Sequence, residues 1–342
     1  MKNMNDNKKI MVTGGLGFIG SHFIEMLLKE GYHIINVDKR TYASREGLEF
    51  EKDKNHKLIE KDICDLKTLP EGISHIINFA AESHVDNSIA NSSPFIQSNV
   101  VGVFNLLELV RKTQKEKRPI FIQISTDEVY GDILDGSFKE TDRLIPSSPY
   151  SASKAAADQL VMGWSRTYGL RTRICRSSNN YGFGQTDTKL VPTTMKNAFK
   201  KKKAIVHGDG SYKREWLYVE DNCEAIRVVM KKGKDNEIYN ISSGNERTNL
   251  EVVKLILRAM NLPENHYEHV ADRPGQDRRY SVNCEKIKQL GWQPKMTMEE
   301  FLPICKKMNE ERSTNWPIGK KRKILRVLKL ENSHLGKKIL KH

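Results

Sequence analysis

Residues 9–31 read KIMVTGGLGFIGSHFIEMLLKEG. Lys9 to Thr13 is a short apolar run with the character of a buried strand, and Phe18 to Leu28 repeats apolar residues at helical spacing until Gly31 stops it. Between them Gly14, Gly17 and Gly20 form a GxxGxxG turn. Glycines there permit a tight turn and close backbone approach to a pyrophosphate, which then faces the free N–H groups and positive dipole end of the helix. A second strand, His33 to Val37, ends on Asp38, placed to accept hydrogen bonds from an adenosine ribose. Its charge repels a 2′-phosphate and so favours NAD over NADP, while Lys39 and Arg40 weaken that preference.

Working outward, strand-like runs recur at His75–Phe79, Ile120–Ser125 and Arg173–Arg176, separated by helical patterns such as Pro94–Arg111 and Ser151–Tyr168. Alternation of this kind predicts an α/β chain with a Rossmann-type, doubly wound parallel sheet. After residue 182 the rhythm changes, and a smaller C-terminal lobe for substrate is expected. The predicted organisation is a cofactor domain over 1–182 with 216–244 returning to it, a substrate lobe from 183–215 and 245–316, and a basic tail over 317–342.

The chain has 342 residues, 38% hydrophobic and 29% charged, enough for a sizeable core, with a net charge of +14. Nine Lys and Arg against one Glu in 317–342 account for +8 of that excess. Charge so concentrated argues against a nucleic-acid-binding face. The tail segment KKRKILRVLKL sets Ile324, Val327 and Leu328 opposite cations, a pattern suited to weak contact with an anionic membrane surface or to a plain terminal helix. Five scattered cysteines without a CxxC predict neither disulfides nor a metal site. No 18-residue apolar run occurs and MKNMNDNKKI lacks a secretion signal, so a reduced, cytoplasmic protein is expected.

Two clusters carry chemistry. Tyr150 and Lys154 stand four residues apart in PYSASKAAADQL, on one helix face. A nearby ammonium favours the tyrosinate and is expected to lower the phenol's pKa, so that Tyr150 takes a proton from an alcohol as hydride leaves for NAD. The second cluster is Thr126, Asp127 and Glu128 in STDEVYGD, at the end of a strand, where open parallel sheets bind ligands. Adjacent carboxylates repel, so one is expected to keep its proton and offer an acid beside a base.

With these residues in view, the sequence resembles the nucleotide-sugar 4,6-dehydratase branch of the extended short-chain dehydrogenase/reductases. The segments are TGGLGFIGSH, NVDKRTYAS, KDICD, NFAAESHVDNSI, FIQISTDEVYGD, SPYSASKAAAD, RSSNNYG, DGSYKREWLYVEDN and ADRPGQDRRYSV, in order over about 9–293. The resemblance implies a lyase. Tyr150, aided by Thr126 and Lys154, removes the 4-hydroxyl proton as hydride passes to NAD. Glu128 takes the carbon 5 proton, Asp127 protonates the departing 6-hydroxyl, and the hydride returns to carbon 6. It further implies cofactor contacts at Phe18, Ile19, Asp38, Lys39, Arg40, Thr41, Asp62, Ile63, Phe79, Ala80, Ala81, Ser83, Ser98 and Asn180. Substrate contacts are implied at Ser83, Thr126, Asn179, Lys189, Leu190, Arg214, Asn249, Asp272, Arg273 and Gln276. A homodimer through paired helices is implied as well.

The resemblance points to dTDP-glucose as the nucleotide-diphosphate hexose. The segment FGQTDT, residues 183–188, departs from the family's usual aromatic–Pro–Glu, and Asp86–Asn87 replaces a common Asp–Arg. These departures keep UDP-glucose and UDP-N-acetylglucosamine open as substrates. An NAD-dependent nucleotide-sugar epimerase and a non-enzymatic NAD-binding scaffold are the remaining alternatives.

Overall fold

The computed structural model describes residues 9–272 and 275–310. The tail expected over 317–342 therefore lies outside the described residues. The strands are β1 (Lys9–Thr13), β2 (His33–Asp38), β3 (His56–Glu60), β4 (His75–Asn78), β5 (Ile120–Thr126), β6 (Thr172–Ser177), β7 (Asn179–Tyr181), β8 (Ala204–His207), β9 (Lys213–Tyr218), β10 (Glu237–Ile241), β11 (Glu246–Thr248) and β12 (Tyr267–Val270). The helices are α1 (Phe18–Lys29), α2 (Val85–Ala90), α3 (Ser93–Phe95), α4 (Gly102–Lys112), α5 (Pro149–Tyr168), α6 (Leu190–Phe199), α7 (Val219–Lys232), α8 (Asn249–Ala259), α9 (Glu285–Lys288) and α10 (Met298–Glu310).

Seven strands form one all-parallel sheet in the order β10-β6-β5-β4-β1-β2-β3. The period-2 alternation of side chains divides the core between its two faces. Ile10 and Val12 join Phe23, Ile24 and Leu27 of α1 and Ile226 and Val229 of α7 in one apolar cluster. Met11, between them, joins Val103, Leu106 and Val110 of α4 and Val161 of α5 in the other. A doubly wound sheet results, with helices on both faces.

From β1 the chain winds outward to β2 and β3, then returns to β4 on the other side of β1. Loops at the carboxyl ends of β1 and β4 therefore diverge and leave a crevice. The later strands build two small sheets beyond that end: β7 pairs with β9 in parallel, β11 pairs with β9 antiparallel, and β8 pairs with β12. Between β9 and β11 the chain re-enters the main layer, where α7 packs against α1 and β10 forms the edge strand. A third apolar cluster, Ala204 and Val206 of β8 with Val253 and Leu257 of α8, supports the outer sheets.

Candidate active site

The glycine turn sits at the carboxyl end of β1. Gly14 has φ +65°, and a Cβ there would lie 2.6 Å from the Ala80 amide nitrogen. Its neighbours line a cavity of about 310 Å³ together with Asp38, Thr41, Asp62, Ile63, Phe79, Ala80, Ala81, Ser83, Ser98, Tyr150, Lys154 and Asn180. Gly14, Gly17, Phe18, Ile19, Gly20 and Lys39 belong to the same wall. Asp38 also fastens the turn itself. Its Oδ2 accepts from the Leu16 amide and its Oδ1 from the Arg40 amide, both at 2.9 Å.

Arg40 departs from its expected place. It does not line the cavity. Its guanidinium turns to the surface and pairs with Glu51 at 2.7 Å and Glu60 at 3.0 Å. Two carboxylates on one side of the residue outweigh an attraction toward the cleft. Lys39 reaches Asp62 at 3.1 Å and Ser98 Oγ at 3.2 Å. Both cations beside Asp38 are thus engaged by acids, which removes the sequence argument for a 2′-phosphate.

Ser98 reaches the wall through a single π-helical turn, Ile96–Val101, between α3 and α4. The wider turn leaves both Ser98 and Asn99 buried. Asn99 Nδ2 donates to the Glu82 carbonyl at 3.0 Å and to Ser153 Oγ at 2.9 Å, tying this turn to α5.

α5 begins with Pro149 and a capping box, in which the Ser148 side chain accepts from the Ser151 amide and Ser151 returns a bond to the Ser148 amide. That cap sets Tyr150 in the first turn. Lys154 Nζ donates to the Ile124 carbonyl at 2.6 Å, and burial pulls its pKa down to about 8. The Tyr150 phenol is not lowered. Burial pushes it up, and the Glu128 charge pushes it further. The expected effect of the Lys154 ammonium is outweighed because the phenolate is desolvated and faces the Glu128 carboxylate.

The acidic turn follows β5. Thr126 Oγ1 shares a hydrogen bond with Tyr150, donates to Asp127 Oδ1 at 3.1 Å and accepts from the Glu128 amide at 3.3 Å. Asp127 is 2% exposed, and its Oδ2 has no hydrogen-bond partner. Burial, then the Glu128 and Glu215 charges, raise its pKa well above the usual carboxyl range. Burial also raises Glu128, but the Lys189 and Arg214 cations oppose it. The pair is therefore asymmetric: the Glu128 charge adds to the burial that favours the protonated form of Asp127, while Lys189, with Arg214, favours the Glu128 anion.

A second cavity of about 400 Å³ opens beside the first, lined by Lys189, Leu190, Arg214, Asn249 and Gln276 among others. Glu128, Asn179, Asn180, Gln185 and Lys189 line both, so the two form one cleft with the acidic turn at their junction. Ser83 and Thr126 stand on the first cavity's wall, and Asn179 belongs to both. Arg214 is buried, with Nη1 donating to the Lys213 carbonyl at 2.7 Å and Nη2 to the Asp277 carbonyl at 2.8 Å, and lies 4.1 Å from the Tyr280 ring centroid. Asp272 lies elsewhere, in an open groove where it accepts from the Tyr212 hydroxyl. Arg273 lies outside the described residues.

Several lining residues were not singled out in the sequence. Trp216 and Tyr280 lie inside two of the quoted segments but are not named individually, and Gln185 sits inside the unusual 183–188 segment. Asn179 Oδ1, Asn180 Oδ1, Gln185 Oε1 and Gln276 Oε1 are buried acceptors without partners. Such atoms in a cleft wall fit a ligand rich in hydroxyl and amide donors. The glycine cradle, the Asp38 carboxylate and these acceptors together suit a dinucleotide and a sugar.

The family model that matches is that of GDP-mannose 4,6 dehydratase, over residues 11–305. The dTDP-glucose 4,6-dehydratase of Haemophilus influenzae is 44% identical over 86% of this chain and 95% of its own. The chain belongs to the nucleotide-sugar 4,6-dehydratase family. The low-salt glycan biosynthesis protein Agl12 of Haloferax volcanii is similar to this dehydratase at 45% identity, over 86% and 96% of the two chains. In three dimensions, DesIV, a dTDP-glucose 4,6-dehydratase from Streptomyces venezuelae crystallised with NAD, matches the dehydratase with a TM-score of 0.84 and 38% identity, over 89% and 97% of the two chains. A family of dehydratases accounts for the Asp127–Glu128 pair, since loss of water needs an acid for the leaving hydroxyl and a base for the carbon proton.

Proposed function

We propose that this enzyme converts dTDP-glucose to dTDP-4-keto-6-deoxyglucose with loss of water, using bound NAD. The observation that carries the reading is the asymmetric acid pair, Asp127 beside Glu128, where the cofactor cavity meets the second cavity. NAD, when bound, would supply the reversible hydride acceptor that oxidation at carbon 4 and reduction at carbon 6 of the sugar require. Thr126 shares a hydrogen bond with Tyr150 and orients the phenol that receives the 4-hydroxyl proton. Lys154, one turn further along the same helix and on the same cavity wall, supplies positive charge that offsets the phenolate as it forms. The 4-ketone acidifies carbon 5, and Glu128 takes that proton. Asp127 delivers its proton to the 6-hydroxyl through Oδ2, the oxygen with no protein partner. Lys189 and Arg214 serve the diphosphate, Arg214 from a guanidinium already oriented by two carbonyls and an aromatic ring.

An epimerase needs only the oxidation half of this set. A buried neutral acid beside a base is superfluous to it, which favours dehydration. The cofactor lobe comprises 1–182 with 216–244, and the substrate lobe 183–215 and 245–316. Exposed Ile96, Phe104 and Tyr168 lie on α4, α5 and the π turn, with Trp164 edge-on to Phe104 at 5.7 Å, and support a homodimer through these helices. The reading places the enzyme in the cytoplasm, with the basic tail at most in weak contact with a membrane surface and no nucleic-acid partner. Among the described residues no helix is long and apolar enough to cross a membrane. Incubation with dTDP-glucose, UDP-glucose and UDP-N-acetylglucosamine, followed by mass spectrometry for the loss of one water, tests the reading. Greatest efficiency on a UDP sugar overturns the nucleotide; isomerisation without water loss overturns the dehydratase.

A further inference from the structure

α5 carries Tyr150, Lys154 and Asp158 at successive four-residue steps along one side of the helix. The first two line the cofactor cavity, whereas Asp158 is fully enclosed and lines neither cavity of the cleft. Arg176 of β6, equally enclosed, donates from Nε to Asp158 Oδ2 at 2.9 Å. Its Nη1 donates to Tyr130 Oη at 2.8 Å, and its guanidinium lies 4.8 Å from the Tyr130 ring centroid. Tyr130 closes the turn bearing Asp127 and Glu128, and its hydroxyl donates to Asn240 Oδ1 on β10 at 2.8 Å. One buried guanidinium thus ties the Tyr150–Lys154 helix to the Asp127–Glu128 turn.

A fully buried ion pair is a weak stabiliser, because well-packed apolar residues of similar volume often serve as well or better. What it supplies is direction. We propose that Asp158 and Arg176 are positioning residues for the reaction, holding the oxidation pair and the dehydration pair in register and setting a carboxylate one helical turn beneath the Lys154 ammonium. The inference rests on the dehydratase reading, which assigns those pairs to two steps of one turnover.

The groups facing Asp158 are Tyr150 and Lys154 on its own helix and Arg176 and Cys175 on β6, with Tyr130 reached through Arg176; Glu140 offers its carbonyl to Arg176 at 3.5 Å. Burial pulls Lys154 down and the Asp158 charge holds it up, while the same charge pushes Tyr150 up. Removing that charge therefore lowers both.

Asp158→Asn keeps an acceptor for Arg176 and removes the charge. With lysine labelled by carbon-13, and the Lys154 signal assigned by its loss in Lys154→Met, the Lys154 midpoint is expected to fall by about half a unit to one unit. The pH profile of kcat moves acidward with it, and KM changes by less than about threefold. Asp158→Asn/Arg176→Met removes the tie without stranding a charge. It is expected to retain NAD and to lose about tenfold or more in kcat, because small misplacements of reacting groups are costly. Arg176→Lys keeps the charge but not the two-way contact, and lowers kcat without moving Lys154. An unmoved Lys154 midpoint in Asp158→Asn overturns the proposal, as does a folded double variant with wild-type kcat and pH profile. The Lys154 titration needs no substrate, so an enzyme that dehydrates no nucleotide hexose refutes the dehydratase reading alone.

Discussion

Asp127→Asn separates the two halves of the reaction. The substitution is nearly isosteric, and it replaces a carboxyl that burial already biases toward its neutral form. It removes the proton that Oδ2 delivers while leaving the Thr126 hydrogen bond an oxygen to reach. Loss of one well-placed general acid lowers rate by about 10²–10⁴-fold. That is about 3–5 kcal/mol of transition-state stabilisation. On the proposed mechanism, oxidation at carbon 4 uses Tyr150, Thr126 and Lys154, so it should continue. Rapid-quench mass spectrometry should therefore detect a 4-keto sugar that retains its 6-hydroxyl, with absorbance of reduced cofactor rising in the same interval. The same variant carries a stability signature. Asp127 binds its proton more tightly folded than unfolded, so its contribution to stability is lost as pH rises from the unfolded carboxyl value through the raised folded one. Asp127→Asn escapes that loss and should melt no lower than wild type at pH 7.5, and show no such gain below about pH 4, where both forms are neutral. Turnover at the wild-type rate refutes the acid assignment. A sharp fall in melting temperature at neutral pH refutes the claim that Asp127 is held neutral at a cost.

Gly14→Ala forces a Cβ to 2.6 Å from the Ala80 amide at a φ of +65°, so the purified variant should carry little NAD when denatured and assayed, whereas wild type carries it through purification. Arg214→Met removes the oriented guanidinium beside the second cavity and should raise KM for the nucleotide sugar by about tenfold or more, the worth of one charge-assisted contact, as steady-state kinetics will show. Phe104→Glu places a charge on the exposed apolar strip of α4, where Phe104 is 44% exposed, and should yield a monomer by light scattering where wild type is expected to scatter as a dimer. Glu128→Gln should abolish exchange of the carbon 5 hydrogen with deuterated water, followed by NMR.

The features legible in the sequence are those whose meaning is local. The glycine turn is contiguous with its strand and helix, and α1 runs from Phe18 to Lys29 because the periodicity, the turn before it and Gly31 after it all agree. The Thr126–Asp127–Glu128 triplet and the Tyr150–Lys154 pair are equally local, and the sheet brings both to one cleft. β3 was harder to see: HKLIE is an edge strand with exposed Lys57 and Glu60, so it lacks the apolar run that marked β1 and β5. β7, β8, β11 and β12 are too short for a period to establish itself.

The site resisted the sequence wherever a side chain's role depends on a distant partner. Arg40 follows Asp38 and Lys39, yet Glu51 and Glu60 decide where it points. Asp272 belongs to a segment that resembles a nucleotide-binding loop, but Tyr212 holds its carboxylate in another groove. Tyr150 is the clearest case. Spacing brings an ammonium to its helix face and argues for a lowered phenol, whereas enclosure and the Glu128 carboxylate from another strand's end raise it. Spacing along a helix reports which groups share a face; the pKa is set by everything else packed against that face, together with whatever charge the ligand adds. A positive nicotinamide ring in the first cavity would act on Tyr150 in the sense opposite to Glu128, so the tyrosine's readiness as a base would depend on what that cavity holds.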